Sequence, residues 1–167
     1  MRAVRPCTQA QDRWTLELGA GVGQRRQQHF GLGTLRLMTP SRWELELSGE
    51  SEASPTSSGS GRAGLAFRLF ETGSLLTRVS IGAQGFADSP APQLGWYSAA
   101  GLSWNPAGPI LVRVHGSAGA GGGETTRGLS ADLGLVSGPL AIHAGYGYDE
   151  RGAAGAGGVR AAVSVWF

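Results

Sequence analysis

A single chain of 167 residues is long enough for one domain with a real core, or for a small barrel. Its net charge of +2, spread along the chain, argues against a nucleic-acid partner, and its one cysteine, Cys7, excludes a disulfide framework and a cysteine metal cluster. All 14 basic residues are Arg, which suits buried ion pairs better than Lys does.

No apolar run approaches the ~20 residues that a membrane helix needs. Residues 1–13 read as an N-terminal segment without the apolar stretch of a secretory signal, so an exported form is expected to have lost its signal already. From Trp14 onward apolar and polar residues alternate, the period of a strand. In chain order the apolar phases are Trp14-Leu16-Leu18-Ala20-Val22, Leu35-Leu37, Trp43-Leu45-Leu47 and Ala63-Leu65-Phe67-Leu69. Val79-Ile81-Ala83, Leu94-Trp96-Ser98-Ala100-Leu102-Trp104 and Ile110-Val112-Val114 follow. Leu129-Ala131-Leu133-Leu135, Leu140-Ile142-Ala144-Tyr146-Tyr148 and Val159-Ala161-Val163-Val165-Phe167 complete the set. The second is the weakest, because "HFGLGTLRLM" supports two phases and suggests a bulge. No segment carries convincing helical spacing.

The connections alternate in kind. "MTPSR", "ETGS", "NPAGP" and "VSGP" read as tight turns. Between them, "GQRRQQ", "ESEASPTSSGSGR", "FADSPAPQ", "AGAGGGETTR" and "DERGAAGAGG" read as longer polar loops. An up-and-down meander whose two ends face different compartments has this rhythm. The aromatic residues form two groups along such strands: Trp14, Trp43, Trp104, Trp166 and Phe167 at the turn end, and Trp96, Tyr146 and Tyr148 towards the loop end. Two girdles of amphipathic rings suit the two interfaces of a membrane.

On these residues, across 14–167, the chain resembles the small bacterial outer-membrane β-barrels. The resemblance implies an all-β, up-and-down antiparallel transmembrane barrel of about ten strands (eight if the second and third segments do not span), with both termini periplasmic. It further implies that Val159, Ala161, Val163, Val165 and Phe167 are an assembly signal read by the barrel-insertion machinery. Outer-membrane lipid would surround the barrel, and an envelope protein is a candidate partner.

With the apolar phase outward, the other phase lines the lumen. That inward set holds Glu17, Arg36, Glu44, Glu46, Arg68, Arg78, Arg113, Asp132, His143 and Arg160, nearly every mid-strand charge. The expected arrangement is an Arg–carboxylate network that fills a narrow barrel near its turn end, with a charge-selective constriction as the alternative. Small inward residues further along, among them Gly19, Gly64, Gly101 and Gly128, predict a lumen open towards the loops.

Other motifs are weaker. "LELGAGVG" resembles the cofactor turn of S-adenosylmethionine-dependent methyltransferases, but no helix or βα unit follows it. "GAGGGE" has no following Lys-Ser/Thr and reads as a loop tip. His115 and His143 share the inward phase, as lumen packing or as a proton or metal pair. Asp88, Glu124, Asp149 and Glu150 stand at the loop rim, yet no rim His accompanies them as in the omptin proteases. No catalytic, cofactor or metal site is predicted. The expected role is a non-catalytic structural, anchoring or docking barrel, with a narrow channel or an outer-leaflet enzyme as alternatives.

Overall fold

The computed structural model describes residues 14–26, 28–52, 59–87, 92–106 and 108–167. Cys7 and Asp88 lie outside them. Ten strands follow in order: β1 (Thr15–Arg25), β2 (Gln28–Met38), β3 (Trp43–Glu52), β4 (Gly59–Glu71), β5 (Leu75–Phe86), β6 (Gln93–Trp104), β7 (Ile110–Gly121), β8 (Glu124–Ser137), β9 (Leu140–Arg151) and β10 (Ala154–Trp166). Each pairs antiparallel with its sequence neighbour, and β1 pairs with β10, which closes the barrel. Closure runs from Glu17↔Trp166 to Arg25↔Gly158, and Leu16 and Phe167 exchange backbone hydrogen bonds beyond it. The ten-strand reading holds, and the eight-strand alternative fails because β2 and β3 both pair along their length.

The apolar phase points outward on every strand. Ile81, Leu133 and Leu129 are 65%, 63% and 61% exposed on the outer wall, whereas their neighbours Ser80, Asp132 and Ser130 are buried inside. This division follows from the strand period alone. "LELGAGVG" lies within continuous β1.

Three features depart from the sequence reading. First, three of the five supposed long loops are strand. β1 ends at Arg25 and β2 begins at Gln28; Gly122-Gly123 joins β7 to β8; Gly152-Ala153 joins β9 to β10. Gly122, Gly123 and Gly152 adopt φ of +62°, +83° and +58°, the left-handed conformation such tight hairpins require. Polar composition misled because here neither face of the strand carries the apolar alternation. Second, β2 has no bulge. Its register with β1 is unbroken from Thr15↔Met38 to Arg25↔Gln28, and the second apolar phase is real: Phe30 and Leu32 face inward. The bulge is in β4, between Arg68 and Phe70, and exposes Leu69 and Phe70 together. Third, Trp166 is 4% exposed and points inside, so it does not belong to a girdle.

Glycines divide by face. A Cβ at inward Gly82 would collide with the Ala63 carbonyl, so the wall there tolerates only Gly. On the outer wall Gly33, Gly49, Gly61 and Gly85 are register partners across β2–β5, and a methyl at Gly33 would meet no atom within 4 Å. Gly33→Ala should therefore raise stability by about 0.5–1 kcal/mol through reduced unfolded-chain entropy, while Gly82→Ala should lower it. The denaturant midpoints of the two variants check this.

Candidate functional site

The inner wall is layered. At the end carrying Thr15 and Trp166, called here the terminal end, Met38, Leu111, Ala141 and Trp166 form a buried apolar floor with Val136 packed against it. They are the inward residues nearest the ends of β2, β7, β9, β10 and β8, so five strands close the tube with side chains.

Above this floor lies a charge layer. Arg36 Nη1 donates to Glu17 Oε2 at 2.6 Å, and Arg113 Nη2 donates to Glu17 Oε1 at 3.1 Å. Glu44, fully buried, lies 3.6 Å from Arg36 Nε, 3.6 Å from Arg68 Nε and 3.9 Å from Arg78 Nη1. Glu46 lies 3.9 Å from Arg36 Nε. Arg68, 1% exposed, also donates to Glu71 Oε2 at 3.0 Å and to the Thr39 carbonyl. Arg68 and Arg78 are cross-strand partners, a repulsive placement that Glu44 relieves by contacting both. The guanidinium of Arg113 stands 5.8 Å from the Trp166 ring centre, joining the charge layer to the floor.

Seven of the ten anticipated lumen residues thus belong to one network: Glu17, Arg36, Glu44, Glu46, Arg68, Arg78 and Arg113. The other three stand apart. Arg160 grips Asp132 through two parallel bonds of 2.8 and 2.6 Å, and His143 Nε2 shares a 3.2 Å hydrogen bond with Ser164 Oγ. His143 and His115 do not gather a ligand set, and no group of three or more metal-ligating side chains occurs among the described residues.

A cavity of about 520 Å³ opens above the charge layer and reaches the far rim, where Arg26, Glu52 and Ala154 line it. Two arginines cross its mouth. Arg25 on β1 donates to Glu50 on β3 and to Asp149 on β9, both at 2.9 Å. Arg151 on β9 contacts Glu124 on β8 at 2.8 Å, donates to Gln93 on β6 and stands 4.2 Å from the centre of the Phe86 ring on β5. The sequence reading missed both straps, although Arg25, Glu50 and Asp149 continue the inward phases of Glu17, Glu44 and His143. Their segments read as loops because polar residues and Gly occupy both faces there.

The outer wall carries Trp14, Trp43 and Trp104 towards the terminal end, all exposed. Trp96, Tyr146 and Tyr148 are exposed nearer the far end. The rings of Tyr146 and Tyr148 lie over Gly157 and Gly155 of β10, where a Cβ would strike their hydroxyls. Outward charge enters at Arg127 and Glu150, register partners near the far rim.

No family model and no curated protein matches the chain in sequence. Among solved structures, the N-terminal β-barrel domain of Pseudomonas aeruginosa OprF is similar at 13% identity and a TM-score of 0.49, covering 92% of this chain and 97% of that one. A de novo designed transmembrane β-barrel is similar at 10% identity and a TM-score of 0.48, covering 99% of each chain. The KdgM porin in complex with oligogalacturonate is similar at 6% identity and a TM-score of 0.48, covering 89% of this chain and 98% of that one. Such values assign neither family nor activity.

The charge layer should respond asymmetrically to mutation. Glu44→Gln leaves Arg68 buried with its shared carboxylate removed and is expected to cost about 3–5 kcal/mol. Arg25→Ala breaks contacts at a partly hydrated rim and should cost about 1 kcal/mol or less. Denaturant unfolding of the two variants in one detergent measures the difference.

Proposed function

We propose that this chain is a non-catalytic outer-membrane barrel that serves as a structural, anchoring or docking component of the bacterial envelope. One observation carries the reading: a closed barrel wears a belt of apolar and aromatic side chains outside, while the charge layer near its terminal end is paired inside. In water such a belt would be a large aggregation liability. In a bilayer it meets hydrocarbon, and closure satisfies the backbone without exposed edges. The tryptophans near one end and the Trp-Tyr group near the other suit the two interfaces. In this reading both barrel termini are periplasmic, and Arg127 and Glu150 stand above the hydrocarbon.

The apolar floor and neutral charge layer favour anchoring over conduction. Four guanidiniums, Arg36, Arg68, Arg78 and Arg113, meet four carboxylates, Glu17, Glu44, Glu46 and Glu71, with the packed floor beneath. The far rim, where Arg26, Glu52 and Ala154 stand, is the surface offered to an envelope partner.

Three measurements test this reading. In cold detergent the folded protein should migrate differently from a boiled sample; identical migration counts against it. Leu133→Arg should cost about 2–4 kcal/mol of folding stability in lipid vesicles, whereas a water-facing position would show almost no change. Planar bilayers containing the protein should stay electrically silent. For the end of the closing strand, removal of Phe167 should reduce membrane insertion more than any loop deletion, read as the folded fraction in cells.

A further inference from the structure

Among the described residues, every other arginine that a strand directs into the lumen has a carboxylate oxygen within 4 Å; Arg62, on β4, does not. Among the described residues its guanidinium makes one long hydrogen bond, 3.4 Å from Nη1 to Ser117 Oγ, and stands 5.6 Å from the centre of the Tyr97 ring. Tyr97 is buried, and its ring meets the guanidinium without using the N–H donors. A guanidinium cannot shed its charge by deprotonation, and most of its five donors therefore remain for whatever occupies the cavity.

Other groups lining the same cavity add donors. Arg78, on β5, has its nearest carboxylate oxygen at 3.9 Å, beyond hydrogen-bond length. It lies along the wall because its register partner is Gly101, where a Cβ would come within 3.2 Å of Arg78 Nε. Beyond Gly101 in the same register is His115 of β7, and Ser117 follows it in the inward phase. Glu46 also lines this cavity, with its nearest guanidinium, Arg36, at 3.9 Å.

We propose that Arg62, with Ser117 and Arg78, forms a binding site for a small oxyanion such as inorganic phosphate, in the cavity between the charge layer and the mouth straps. A guanidinium fork presents parallel N–H groups that match two oxygens of one anion. The volume, about 520 Å³, admits an ion or a compact organic phosphate. Glu46 opposes binding electrostatically and so supplies a diagnostic of its own.

The test uses the full chain folded in detergent, with inorganic phosphate as probe, equilibrium dialysis as readout and ionic strength held constant with sodium chloride. Saturable uptake of phosphate, displaced by sulfate, is expected. Arg62→Gln should weaken it about tenfold or more, the worth of one charge-assisted hydrogen bond. Arg127→Gln, which removes an outer-wall guanidinium, should leave it unchanged. Glu46→Gln should tighten it, a change that a purely structural role for Arg62 does not produce. Absence of saturable uptake by the unmodified protein overturns the proposal, as does equal uptake by a folded Arg62→Gln variant. Should Arg62→Gln fail to fold, Glu46→Gln decides: tighter binding supports the site, and unchanged binding overturns it.

Discussion

The pairing of β1 with β10 is the constraint on which the rest of this molecule depends. Without it, the meander would leave two long strands with unpaired backbone groups and no distinction between inside and outside. Closure turns the two faces of a sheet into two separate environments, and the two-residue period then assigns every side chain to one of them. The exposed Leu133 and the buried Asp132 differ by one position in sequence and by the whole thickness of the wall. A slip of one residue in the pairing of β8 would exchange them along the entire strand.

The interior is narrow, and the terminal end fills it with side chains. A layer of guanidinium and carboxylate groups in such a space is not a source of large net stability, since desolvation offsets most of the attraction. What it supplies is mutual dependence: Glu44 serves three arginines, and Glu17 serves two. Arginine suits this task because a planar fork can contact several carboxylates at once, where an ammonium would act as a single point. Between this layer and the mouth straps, Arg62 has a serine hydroxyl and a tyrosine ring for company.

Much of this could be read in the sequence, because alternation is imposed wherever the two faces of a strand meet different surroundings. The ten strands, the outward Leu and Val residues, and the inward set from Glu17 to Arg160 all followed from it. What remained illegible lay where that contrast fades. Near the far rim both faces are polar, so Arg25 and Arg151 sat in segments that looked like loops. Composition alone could not separate Gly-rich strand from Gly-rich turn at 119–124. Trp166 misled for another reason: aromatic character suggests an interface, whereas its even-numbered place beside Ser164 and Ala162 already put it inside. Phe30 and Leu32 gave β2 two phases because a lumen tolerates some apolar residues, and no bulge was needed. The grouping of seven charges into one network, with Asp132 and Arg160 apart, depends on side-chain reach, which a sequence phase does not encode.

The mouth straps have a mechanical meaning. A thin-walled tube resists stretching around its circumference through its hydrogen-bond ladder, but it ovalises easily, because flattening needs only small changes in the angle between neighbouring strands. Arg25 ties β1 to β3 on one side and to β9 on the other, and Arg151 ties β9 to β6. These links join strands that are not neighbours, so they act as cross-braces. The terminal end is stiffened by being solid; the far end is stiffened by two tie-rods that leave space between them.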